Sequence, residues 1–376
     1  MSRVFLAAEA GQPASAVVRQ ARIQAESSAW ARPTMRAHEG RVSRTMLEAA
    51  GTAVATAVGA PGARVVFYPS LVSALTAAVA QLGRPDLAAV TSVVDRRAVL
   101  DAVRRRTSTT DRGSPPSTPG PVGVDHLGRI RLDELAATLA DGYVGLVVSA
   151  VGNPEVGTTQ PLQQIRQLCR AHDVPLLVEA GMAGGRMELS ADWDALVLDA
   201  ASWAGGNAAA VVMRPGVRWR DEPSAELAAL PLGAPSVADC AAAALGLEAT
   251  VADLPAHAEH DRRLIESLRE GLADVADVVV HGDPERRLPH VVGFSVLYVD
   301  AEAMLVELDR KGIAVASGSA CAVESGQPSH VLAAIGTLTS GNLRVTLPLT
   351  AQQSDIDALL TELPPLVAQL RAEVGL

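Results

Sequence analysis

Short apolar runs and amphipathic stretches alternate over the first two thirds of the chain. Residues 64–67 form a run that predicts a strand, and residues 71–82 repeat apolar side chains at helical spacing behind it. A strand at 88–94 precedes a basic-faced helix at 97–105. A strand at 143–150 precedes a helix at 162–171, and strands follow at 174–179, 195–198 and 209–213. Such alternation implies an α/β fold whose mainly parallel sheet is covered by helices on both faces. Ligands in these folds usually bind beyond the carboxyl ends of the strands.

Near Pro255 the rhythm changes. A long polar helix is predicted over 256–272, then strands at 278–281 and 291–298, a helix at 301–310, a strand at 313–316, a strand at 343–347 and a closing helix over 352–374. The expected organisation is a large α/β domain over 15–252 and a small α+β domain over 253–376, with residues 1–14 packing on the small one. The Ser-, Thr-, Pro- and Gly-rich stretch 107–121 reads as a surface loop, because the alternation resumes after it.

Composition narrows the chemistry. Hydrophobic residues make up 48% of the 376, but aromatics only 3%, so the core must be built mainly from Ala, Val and Leu. A net charge of −10 argues against a nucleic-acid surface, which needs clustered positive charge. No basic segment followed by a long apolar run opens the chain, and no stretch reaches the roughly 18 apolar residues that span a membrane. Cys169, Cys240 and Cys321 offer neither a paired framework nor metal spacing, which fits a reducing, cytoplasmic setting with no metal. Of 32 basic residues only Lys311 is a lysine. Guanidinium stays protonated at any useful pH, so none of the arginines can replace lysine as an imine-forming amine.

Three segments carry a family resemblance. One is Gly312-Ile-Ala-Val-Ala-Ser-Gly-Ser-Ala-Cys321, with Pro328-Ser-His330 placing a histidine nine residues past the cysteine. Another is Gly341-Asn-Leu-Arg344-Val-Thr-Leu, and the third runs from Val122 through Gly152-Asn-Pro-Glu-Val-Gly-Thr-Thr-Gln-Pro161. From about residue 43 onward the chain resembles the cysteine desulfurases, a branch of the class V aminotransferase-like, pyridoxal phosphate (PLP)-dependent enzymes of fold type I. The resemblance implies a large mainly parallel sheet domain, a small C-terminal domain and a homodimer. It also implies a nucleophilic cysteine on a mobile loop, here Cys321, which would take sulfur from a cysteine substrate held on PLP. Arg344 falls at the position that holds the substrate carboxylate, a task suited to a bidentate guanidinium. His330 is expected to cap or pack at a helix start.

The cofactor positions depart from the family pattern. The histidine–lysine pair reads Ala201-Ser202, and a serine hydroxyl forms no imine. The ring-stacking histidine reads Arg96, the aspartate that meets the pyridine nitrogen reads Glu179, and the glutamine for the ring hydroxyl reads Met182. The paired asparagines read Asn153-Pro154, and the phosphate turn reads Ser70-Leu71-Val72-Ser73. The segment that reaches across a dimer reads Pro231-Leu232-Gly233-Ala234, and the N-terminal Asp-Asn-Ala-Ala-Thr-Thr-Pro reads Ala7-Ala-Glu-Ala-Gly-Gln-Pro13. Lys311 belongs to a helix-to-strand turn, a poor place from which to rescue the chemistry. The first expectation is a desulfurase-like pseudoenzyme without PLP, acting as scaffold or regulator, or accepting a persulfide on Cys321 from a sulfur-transfer protein or paralogous desulfurase. The alternatives are a heteromeric subunit of an active desulfurase, an active PLP-dependent enzyme by another route, and a different enzyme reusing the pocket around Arg96, Glu179 and Arg344.

Overall fold

The computed structural model describes residues 3–84, 86–108, 119–219, 235–318, 328–373 and 375. Its strands are β1 (Val4–Phe5), β2 (Arg64–Tyr68), β3 (Ala88–Val90), β4 (Val144–Ala150), β5 (Leu176–Glu179), β6 (Ala195–Asp199), β7 (Ala209–Met213), β8 (Val278–Val280), β9 (Val291–Val296), β10 (Ile313–Ala314) and β11 (Asn342–Thr346). Six of them form one sheet in the order β2-β7-β6-β5-β4-β3.

Alternate residues of a strand face opposite sides, and here both sides are apolar. Val147, Val178, Leu196 and Leu198 join one core with Leu47, Val54, Leu135 and Ile165. Their neighbours Leu146, Val148, Leu177 and Val197 join another with Leu75 and Val79 of the Leu71–Gln81 helix. Burial on both faces is why these strands appear in the sequence as unbroken apolar runs. The β3–β4, β4–β5 and β5–β6 pairs are parallel, whereas β7 runs antiparallel to both β6 and β2. The reason is chain length. Only residues 200–208 join β6 to β7, and a parallel crossover needs a dozen or more.

Two helices without a strong apolar stripe, Ala16–Ser28 and His38–Ala57, lie against Val237–Ala252. Their buried faces are mostly small side chains, and Val18, Ala21 and Ala242 form one small buried cluster. The helices approach closely at Gly246, where a Cβ would come within 2.6 Å of Val18 Cγ2.

Beyond Asp253 the helix Leu254–Ala273 leads into an antiparallel sheet of order β11-β9-β8. Leu264, Leu268, Phe294, Val345, Ile356 and Leu359 are among the residues that fill its core. The N-terminal segment belongs to this core: β1 pairs in parallel with β10, Leu6 is fully buried in the same cluster, and Ala7 bridges Thr346. The strand predicted at 313–316 is shortened to β10, with Ala316 exchanging two backbone hydrogen bonds with Arg344. The predicted helix at 97–105 extends to Ser108, and residues 109–118 of the expected loop lie outside the described residues.

Candidate active site

The positions singled out around the cofactor site gather at the carboxyl ends of the parallel strands. Arg96 follows β3, Asn153 follows β4, Glu179 ends β5 and Ser202 lies just past β6. Arg96 Nε stands 3.3 Å from Glu179 Oε2, an ion pair by distance although the Nε–H is not aligned for a hydrogen bond. The other Glu179 oxygen accepts from the Gly181 amide at 2.6 Å. Met182 is buried in the large core.

Two further carboxylates, not singled out from the sequence, feel the charge of this pair: Asp95 that of Glu179, and Asp199 that of both. Asp95 accepts from the hydroxyl of Thr91 at 2.5 Å, from the Ser92 amide at 3.0 Å and from the Ala150 amide at 3.2 Å. Burial pushes its carboxyl up to about 6, against those hydrogen bonds, and the Glu179 charge adds to the rise. Asp199 accepts from the Ala201 amide at 3.1 Å and is also raised by burial, with Arg96 opposing and Glu179 reinforcing. His330 approaches from the small helix His330–Ile335 and donates Nε2–H to the Asp95 carbonyl at 3.0 Å. The helix cap itself is Ser329, so His330 packs at the helix start and ties that helix to the turn bearing Arg96.

Ser202 lies in a 3-10 turn, Ala200–Trp203, and its hydroxyl donates to the Gly184 carbonyl at 2.5 Å. Gln12 fixes the same turn from outside, donating to the carbonyls of Ala201 at 3.1 Å and Ser202 at 3.3 Å while accepting from the Leu349 amide at 3.0 Å. Arg344, on β11, donates to Glu9 at 2.6 Å, and both side chains are largely buried. Burial also raises the Glu155 carboxyl, which a hydrogen bond from Ser329 and the charge of Arg344 moderate. Asn153 is committed to its own loop: it donates to the Val94 carbonyl and accepts from the amides of Glu155 and Val156. Ser70 and Ser73 cap each other at the start of the Leu71–Gln81 helix.

Lys311 stands apart, donating to Glu362 of the C-terminal helix Gln353–Glu373 at 2.7 Å. Cys169 and Cys240 are buried, and burial pushes the first up to about 12 and the second higher still. Cys321 and the segment 231–234 lie outside the described residues. Among the described residues no group of three His, Cys, Asp or Glu side chains is placed to hold a metal, and no helix is long and apolar enough to cross a membrane.

Glu9 and Gln12 lie within the N-terminal segment noted above, but their partners are more than 180 residues away in sequence. Nothing local announces either contact. Asp95 and Asp199 offered a weak signal, since each is a lone acid at the end of an apolar run.

A mixed, mostly parallel sheet with its site at the strand ends and a small α+β unit defines the fold-type-I class. The family model described as Aminotransferase class-V matches residues 198–359. The cysteine desulfurase NifS of Azotobacter vinelandii is 31% identical over 262 residues, which cover 66% of this chain and 64% of that one, just under two thirds of its length. The cysteine desulfurase IscS of Dictyoglomus turgidum is 27% identical over 348 residues, or 89% of this chain and 86% of that one. A solved NifS-like protein superposes with a TM-score of 0.85 at 21% identity, covering 98% of this chain and all of the other. An apo cysteine desulfurase from Thermococcus onnurineus NA1 gives 0.81 at 16% identity, covering 98% and 95%. The chain is thus similar to class V aminotransferases, and among them to the cysteine desulfurases.

Proposed function

We propose that this chain is a desulfurase-like protein that does not carry PLP as an imine and acts through its surfaces, as scaffold or regulator. The observation that carries this reading is Ser202. It stands at the lysine position with its hydroxyl donated to a backbone carbonyl. The only lysine in the sequence is ion-paired to the C-terminal helix.

The neighbouring residues do not fit the cofactor either. The guanidinium at the ring-stacking position reaches the carboxylate at the pyridine-nitrogen position. Both serines at the phosphate turn spend their hydroxyls on capping. Arg344, which would hold a substrate carboxylate, is already paired with the chain's own Glu9. These contacts count equally against a different enzyme that reuses the pocket for a carboxylate ligand. The purified protein incubated with PLP and reduced with borohydride is expected to show no phosphopyridoxyl adduct by mass spectrometry, and no alanine or sulfide from cysteine. An adduct on any residue overturns the reading.

A second reading adds sulfur relay to the first. The two described thiols are sealed in the core and resist ionisation, so thiolate chemistry falls to Cys321. In such a relay the Cys321 thiolate would attack the outer sulfur of a donor persulfide, forming a new S–S bond while the donor leaves as thiolate. Mixing with a persulfide-loaded desulfurase and mapping sulfur by mass spectrometry tests it. Extra sulfur on Cys321 alone supports relay; none on Cys321 leaves the scaffold.

A homodimer is the proposed state, since symmetric dimers are the commonest oligomers. Val17, Ile23, Trp30 and Met35 leave large apolar side chains exposed within one N-terminal stretch, a feature that supports a buried partner surface.

A further inference from the structure

At the opposite end of the large sheet, beyond the amino ends of its parallel strands, lies a cleft of about 1090 Å³. Five arginines line it: Arg84 before β3, Arg166 and Arg170 on the Leu162–Ala171 helix, and Arg214 and Arg218 after the antiparallel β7. Among the described residues only two acids, Asp173 and Asp194, share the lining. In a chain of net charge −10 this is a marked local excess of positive charge.

The five are not equivalent. Arg166 is held by both oxygens of Asp194, so that pair is neutral. Arg214 stacks over the Trp193 ring, 4.1 Å from its centroid, and donates to the carbonyls of Trp193 and Ala191. Arg84, Arg170 and Arg218 are exposed and form no ion pair among the described residues. Three uncommitted guanidinium groups from three chain segments therefore meet one cleft. The same wall carries Trp219, half-buried and fixed by a backbone bridge to Leu82.

We propose that this cleft binds a nucleoside polyphosphate. Guanidinium groups remain charged and take phosphate oxygens in a bidentate manner. An indole face accepts a base by stacking, which is worth most where the ring is held in place. The volume suits a ligand of that size. The site is separate from the one at the carboxyl ends, because Asp194 precedes β6 whereas Ser202 follows it, and it stands whether or not PLP binds there.

Calorimetric titration of the full-length protein with ATP, inorganic tripolyphosphate, adenosine and a short single-stranded oligonucleotide tests the proposal. ATP is expected to bind about tenfold or more tightly than tripolyphosphate or adenosine. The pair Arg170→Glu and Arg218→Glu is expected to weaken ATP by about tenfold or more with the melting temperature unchanged, since both side chains are exposed. Trp219→Leu is expected to bring ATP down to the tripolyphosphate level; should that variant misfold, the arginine pair alone decides. No heat with millimolar ATP, equal affinity for ATP and tripolyphosphate, indifference to the arginine changes, or an oligonucleotide that outcompetes ATP would each overturn it.

Discussion

Ser202 shows how one side chain can be absorbed into structure. Its hydroxyl gives the buried Gly184 carbonyl a partner. Ser202→Ala removes that partner and is expected to cost about 1–2 kcal/mol in urea unfolding. That the cofactor positions lie together at the strand ends was legible from the sequence, because they are spaced along a strand–helix alternation. Their present partners were not: Gly184, Glu9 and Gln12 come close only after the chain has folded. Histidine adds a pH dependence of its own. Burial lowers His281 to about 4, where it shares a hydrogen bond with Ser295, and His290 is also held neutral. Between about pH 4 and 6.5 the unfolded chain binds the His281 proton and the folded one does not. Stability therefore falls as pH drops through that window, by about 3 kcal/mol for His281 once complete. Asp95 works the other way, since its folded carboxyl takes a proton at higher pH than an unfolded one. In thermal melts across this range, His281→Gln is expected to flatten the wild-type decline; an unchanged slope would remove His281 from the account.

Among elements, the buried strands were the most legible part of the fold. A strand covered on both faces must be largely apolar, and β4 through β7 are, apart from Ser149 and the acids Glu179 and Asp199 that end β5 and β6. Direction was not legible from that pattern, since an apolar run looks the same either way; the short β6–β7 connection decides it. The Ala16–Ser28 and His38–Ala57 helices are not legible from the pattern, because faces of small residues give little contrast between buried and exposed positions. Strand β1 is only two residues long, yet it delivers Leu6 into the small core with no remaining exposure. Leu6→Ala is expected to lower the unfolding free energy by about 2–5 kcal/mol, read as a shift in the urea midpoint. A loss below about 0.5 kcal/mol would mean that the N-terminal segment is an ornament of this core, not a part of it.

Over the whole molecule, the candidate active site and the arginine-lined cleft lie at opposite ends of one sheet. The carboxyl end holds internal ion pairs, and at the amino end Arg84, Arg170 and Arg218 form no ion pair among the described residues. A chain of 38.9 kDa that forms the proposed homodimer should scatter light as about 78 kDa at micromolar concentration. A mass near that of the single chain would refute the dimer. The exposed Trp30 gives a second handle: substitution by a charged residue is expected to shift the mass toward monomer if that surface is covered by the partner copy.

The pairing of β1 with β10 also sets a timetable for synthesis. Val4 and Phe5 leave the ribosome well before Ile313 and Ala314, against which they form their strand and which follow some 310 residues later. At about 5–20 residues per second β1 waits some tens of seconds for its partner. Glu9 waits longer still, for Arg344. The large sheet has all its strands translated by residue 213 and is free to collapse in that interval. The small core cannot close until the Gln353–Glu373 helix is made, and through that interval Leu6 is an apolar side chain without its core, the kind of surface a nascent-chain chaperone holds.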